Sequence, residues 1–323
     1  MGIAARTAPR FYSPFPFALS GSAVDLVSLL NCFSSSACIV TQLTSGLIIG
    51  MLLFLVAAGL TLIFGVLKVI NFTHGSFYML GAYFALTIFK LTDSYALTLL
   101  GAALATAMVG LVFERLFMSR VYGQNVLMQL LVCYGFILIF DDVVKIVWGP
   151  EFRSMGMPTM FQVPPIFVAG GVIPPFYLFL VGVTIAIGAI LWLIIEQTRF
   201  GKTVRAAAHN PNMVSALGIN TGALYGLVFA LGGLLAGFAG ALAAPVRSLT
   251  PGMGFTILIE SFIVTVIGGM GSIVGALVGS IMIGLIRTFA SLGFPLFTEG
   301  LMYVFMVLVL IMKPTGLFGK EVA

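Results

Sequence analysis

Unbroken apolar runs of about 20 residues recur along this chain, and that single feature excludes most folds. They lie at 43–66, 71–90, 94–113, 126–147, 176–195, 224–244, 272–290 and 297–312, with a shorter ninth at 254–268 that carries Glu260. Each long run has the reach to cross a bilayer as a helix. A membrane β-barrel would need short alternating segments, so continuous runs specify helices. Composition removes the remaining alternative: only 8% of the 323 residues are charged and 60% are hydrophobic, too little charge to solvate a globular surface. The expected fold is an all-α integral membrane protein, a polytopic bundle of about eight to nine transmembrane helices with short loops and with helices that are discontinuous where the runs break. Residues 1–42 read as an N-terminal extension whose 17–33 part forms an amphipathic interfacial helix. Residues 43–320 read as the transmembrane domain, with one sizeable cytoplasmic loop at 196–223.

The net charge of +5 does not signal nucleic acid, because the basic residues sit singly at the ends of apolar runs. They act as topology signals instead. Lys68, Arg115, Arg120, Arg199, Lys202, Arg205, Lys313 and Lys320 fall on one side, against Lys90, Lys145, Arg153, Arg247 and Arg287 on or near the other. The richer set is expected in the cytoplasm. Arg6 and Arg10 oppose this unless residues 17–33 also span. The proline-rich stretch 148–175 is expected outside, without a regular helix through its prolines. Three cysteines make no metal site: Cys133 reads as a small buried apolar residue, and Cys32 and Cys38 pair only if their segment meets an oxidising compartment.

Three motifs carry candidate function. At Asn71-Phe72-Thr73-His74-Gly75, polar side chains and a glycine can support either a helix break beside a transport path or a tight turn with Asn71 as N-cap, and the geometry favours the turn. His74 is too isolated for a metal or a proton relay. In the 196–220 loop, Gly201-Lys202-Thr203 suggests a phosphate loop, but the required earlier glycine is Glu196, so nucleotide binding is excluded. The loop instead encodes two short helices. Residues 202–209 form the first; Asn210 caps the second, Pro211 opens it and Gly218 ends it. Met213, Val214 and Leu217 would share an apolar face, suited either to a partner's groove or to lipid headgroups. The third motif is Gly268-Gly269-Met270-Gly271-Ser272, a turn or helix break. Gly271, Gly275 and Gly279 follow at close-packing spacing, consistent with packing or with substrate contact. Among membrane-embedded charges, Glu260 stands out with Arg287 as its candidate partner, while Asp142 and Lys145 can pair with each other.

Four stretches together resemble the integral-membrane subunits of branched-chain amino-acid ABC importers, the LivH type, a family that also serves urea and short amides. They are 69–75, 200–206 continuing to 216–220, 268–276 and 312–319, in matching order and spacing. The resemblance implies a non-enzymatic permease subunit of the bacterial inner membrane. It would work beside a second homologous permease, two cytoplasmic ATPases and an external substrate-binding protein, within membrane lipid and without any cofactor. On that basis Arg205, Asn210, Pro211, Met213, Val214, Leu217 and Gly218 form the ATPase-coupling segment. Asn71, His74, Gly75, Glu260, Gly268, Gly269, Gly271 and Ser272 are path or helix-break candidates. The alternative is a gradient-driven carrier or channel acting alone through Glu260, Arg287 or His74. A membrane enzyme lacks any catalytic constellation, since His74 and His209 are the only histidines and neither is matched to a carboxylate pair.

Overall fold

The computed structural model describes residues 26–319. The part of the extension before residue 26, with Arg6 and Arg10, and Lys320 lie outside the described residues. Helix α1 (Leu26–Ser34) is followed by α2 (Ser36–Leu67), α3 (His74–Thr92) and α4 (Tyr95–Phe113). Helix α4 runs through a π-helical turn (Glu114–Met118) into the short α5 (Ser119–Val121). Then come α6 (Val126–Trp148), α7 (Pro175–Gln197), α8 (Arg199–His209), α9 (Pro211–Ala216), α10 (Thr221–Ala243), α11 (Met253–Gly268), α12 (Ile273–Gly293) and α13 (Thr298–Met312). All nine apolar runs are helical. Among the described residues six helical stretches, beginning at Ser36, Tyr95, Pro175, Thr221, Ile273 and Pro295, are long and apolar enough to cross a membrane by length and composition.

Helix α2 forms the axis of the bundle. Its 32 residues span about 48 Å, and 83% of its most apolar window is buried, whereas the corresponding window of α13 is 11% buried. Burial on all sides explains why α2 is apolar around its whole circumference. Glycines set how closely its neighbours approach. A side chain on Gly50 would meet the Ser280 carbonyl of α12 at 2.8 Å, and one on Gly59 the Gly232 carbonyl of α10 at 2.9 Å. Gly81 of α3 lies against Gly237 of α10 in the same manner. Where lipid removes the hydrophobic drive between helices, backbone approach of this kind provides the packing. Gly275 and Gly279 fulfil this role against Gly268 and Val264 of α11. Gly271 does not: it precedes α12 in a turn at φ +92°, so the anticipated three-glycine helix face has two members.

No α-helix runs between Trp148 and Pro175, as the prolines there imply, and the stretch adds a small sheet. Ile166–Val168 (β1) and Gly171–Ile173 (β2) form an antiparallel hairpin, and Arg153 pairs with Leu249 across to the segment after α10. Strands of three residues leave no alternation to detect in sequence. The hairpin packs on the start of α2, where the Ser36 hydroxyl donates to the Ala169 carbonyl at 3.2 Å. Cys32 and Cys38 are joined in a disulfide between α1 and α2, an outcome that compartment logic alone did not favour. Cys133 is free and buried, as expected.

Candidate functional site

Two places concentrate the predicted residues. The first lies inside the bundle. Helix α3 begins at His74, and its cap position is Thr73, correcting the assignment of Asn71 as N-cap. Asn71 instead accepts the Thr73 backbone N–H on Oδ1 at 3.1 Å, holding the turn that leads into the helix. His74 Nε2 donates to the Val56 carbonyl at 3.0 Å; a carbonyl only accepts, so the proton is assigned to Nε2. Val56 precedes the end of α2 by eleven residues, about 16 Å of helix. The chain therefore re-enters the bundle after Lys68 and starts α3 at depth. Thr73 agrees with this by donating to the carbonyl of Cys133, two turns into α6, at 3.3 Å. Residues 69–73 thus form a turn between α2 and α3 that lies inside the bundle.

Helix α11 completes this centre. Gly252, at φ +85°, turns the chain so that α11 starts with Gly254 packed directly against Gly75. A side chain on either glycine would strike the other's backbone, so two helix N-termini can meet only here, glycine on glycine. Two turns into α11, Glu260 forms an ion pair with Arg287 of α12, as the sequence suggested. Glu260 is 3% exposed, and its second oxygen, Oε2, has no hydrogen-bond partner. Tyr78 of α3 lies within the field of this pair with its hydroxyl beside Arg247, which follows α10. Sequence reading did not connect Tyr78 and Arg247 to the centre, because their proximity depends on how α3 crosses α10. Gly268, Gly269, Gly271 and Ser272 lie elsewhere, at the far end of α11. Leu317 and Phe318 donate their N–H groups to the carbonyls of Ile267 and Gly268 at 2.8 and 3.0 Å, and Ser272 caps α12 by accepting from Gly275 at 3.0 Å. These four residues build a junction with the segment after α13.

The second place is the corner formed by α7, α8 and α9, at the bundle end rich in Lys and Arg. Thr198 caps α8 through its hydroxyl, accepting from Gly201 at 3.1 Å. Asn210 caps α9 by accepting from Met213 at 3.0 Å, with Pro211 as the first helical residue and Gly218 at φ +80° beyond its end. Arg205 turns back onto the end of α7, donating to the Ile195 carbonyl and bridging the Glu196 carboxylate at 3.0 Å. It braces the corner. The anticipated apolar face divides in two: Val214 is 3% exposed and anchors α9, while Met213 and Leu217 are 64% and 72% exposed. Among the described residues no group of three or more His, Cys, Asp or Glu could hold a metal ion.

A polytopic bundle of long apolar helices is the architecture of a multi-pass membrane protein. The chain belongs to the family described as the branched-chain amino acid transport system permease component, whose model matches residues 42–312. It is 31% identical over 294 residues to the high-affinity branched-chain amino acid transport system permease protein BraD of Pseudomonas aeruginosa, covering 86% of this chain and 95% of that one. The LivH permease protein of Escherichia coli is 27% identical over 301 residues, with the same coverage of both chains. A probable LivH of Methanocaldococcus jannaschii is 28% identical over 298 residues, 86% of this chain and 92% of that one. No solved structure matches the chain.

Proposed function

We propose that this chain is the membrane-spanning subunit of an ATP-driven importer and that it carries branched-chain amino acids or closely similar small polar solutes through a bacterial inner membrane. The observation that carries the reading is α9. A six-residue helix stabilised by its own cap, anchored by Val214 and braced through Arg205, presents Met213 and Leu217 to its surroundings. Apolar side chains on a rigid small helix suit the groove of a second protein. Two cytoplasmic ATPases would supply that groove, with a second homologous permease alongside and a substrate-binding protein delivering cargo to the face that holds the hairpin and the disulfide. Residues 1–42 are then an addition to the transport domain at 43–320.

The centre at Gly75, Gly254 and Glu260 is the proposed path. Helix N-termini at mid-depth direct backbone N–H groups toward an anionic substrate group, as in other transporters with broken helices. ATP-driven closure of the partners would move α9 and α8, shift α7 and α2, and so alternate access to this centre. Pairing of Glu260 with Arg287 consumes the charge that a gradient-driven carrier would need, which favours the ATP-driven reading. The test is reconstitution of the chain with its genomically neighbouring permease, ATPases and binding protein. ATP-dependent leucine uptake is expected; uptake by the chain alone down an ion gradient would refute it.

A further inference from the structure

A cleft of about 450 Å³ opens where the π-helical turn Glu114–Met118 meets the start of α10. Its size suits a small ligand. Glu114 is 1% exposed, so its carboxylate is withdrawn from solvent. One oxygen, Oε1, accepts the Tyr122 hydroxyl at 3.1 Å, and the other, Oε2, has no partner. Burial, and then the carboxylate itself, raise the pKa of Tyr122, so the phenol keeps its proton and remains the donor in this contact. A buried carboxylate oxygen without a donor is costly and calls for one.

The neighbouring Arg115 also lines the cleft, yet it forms no salt bridge with Glu114 or with any other described residue. Successive residues of a regular α-helix do not face each other. The wider π-helical turn brings both side chains to one opening, and such turns occur often at functional sites. Gly226 of α10 marks the spot between them: a side chain there would lie 3.1 Å from Glu114 Oε2 and 3.5 Å from Arg115 Nε. A carboxylate oxygen and a guanidinium therefore flank one gap without closing on each other. The Oδ1 of Asn220 nearby is already engaged, accepting the Ala223 N–H at 2.9 Å.

We propose that this cleft binds a primary ammonium that carries a neighbouring acidic group, with the ammonium on Glu114 Oε2 and the acid on Arg115. Two sources offer that chemistry: a free α-amino acid, and the headgroup of phosphatidylethanolamine. The cleft adjoins Asn220, three residues beyond Leu217, so its occupant would sit beside the segment that leaves α9.

The test uses the full chain purified in detergent and in nanodiscs. Equilibrium dialysis with L-leucine and N-acetyl-L-leucine probes the free amino acid. Native mass spectrometry after exchange into phosphatidylethanolamine or phosphatidylcholine probes the lipid. Leucine binding without N-acetyl-leucine binding identifies the free ligand, and selective retention of phosphatidylethanolamine identifies the lipid. Either affinity is expected to fall about 10- to 100-fold in Glu114→Gln. It should also fall in Arg115→Gln, whose exposed position keeps folding out of the comparison, and in Gly226→Ala, which fills the gap. Binding of neither probe overturns the proposal, as does binding of unchanged affinity in Glu114→Gln and Arg115→Gln.

Discussion

Replacing Gly75 with alanine is expected to force apart the two helices that meet inside the bundle. A methyl group at that position would lie 2.7 Å from Leu258 Cβ and 2.9 Å from the Gly254 carbonyl carbon, and against the Gly254 oxygen. Non-bonded carbons rest at about 3.5–4.0 Å, so α3 and α11 must separate by about 1 Å. Overpacking of this kind costs about 1–3 kcal/mol. The same displacement would stretch the His74 Nε2 to Val56 bond from 3.0 Å to beyond bonding range, losing about 1 kcal/mol. Alanine's better helix preference returns about 0.5–1 kcal/mol. The net loss is therefore about 1–3 kcal/mol. Gly182→Ala supplies the comparison, because Gly182 lies on α7 with nothing within 4 Å of the added methyl group. That variant should match the wild type or exceed it by up to about 1 kcal/mol. Equilibrium unfolding in mixed micelles, followed by far-ultraviolet circular dichroism, gives both values. If Gly75→Ala unfolds together with Gly182→Ala, the two helix N-termini are not in contact and the internal centre does not exist as described.

Met213→Asp and Leu217→Asp should leave unfolding within about 0.5 kcal/mol of wild type while abolishing co-purification with an ATPase; retained association would remove α9 from the coupling role. Arg287→Gln strands the buried Glu260 carboxylate and should cost about 3–5 kcal/mol, with more than half recovered when the charges are exchanged in Glu260→Arg/Arg287→Glu. An exchange variant no more stable than the single variant would mean that the two residues do not act as a pair. Maleimide labelling of the denatured, unreduced chain should add one label, on Cys133, and three after reduction; three without reduction would rule out the Cys32–Cys38 bond.

What the sequence made legible was local. Apolar runs marked every long helix, because a chain in lipid must satisfy its backbone within each segment. Asn210, Pro211 and Gly218 predicted α9 within a residue or two, since caps act on adjacent backbone groups. The π-helical turn after α4 leaves no trace in the sequence, where the apolar run ends at 113. The break before α3 was visible as Asn71 and Gly75, but its depth was not. That depth is set by Val56, Cys133 and Gly254, three partners far apart in the chain. The same limit applies to Val214, whose inward orientation depends on the packing of α8 and not on helical periodicity. Arg115 was legible only as a topology charge and Glu114 carried no role, because the gap they flank is formed by the missing side chain of a glycine in another helix.

The junction below α11 also bears on how the protein is made. The carbonyls of Ile267 and Gly268 receive their hydrogen bonds from Leu317 and Phe318, fifty positions later. While the chain is being inserted, α11 reaches the membrane with its last turn unsatisfied, and α12 and α13 must both be synthesised before relief arrives. The shortest of the deep helices, which carries Glu260 and meets α3, is thus among the last to be secured. Assembly proceeds with this end of α11 open, and translation of a turn far downstream closes it.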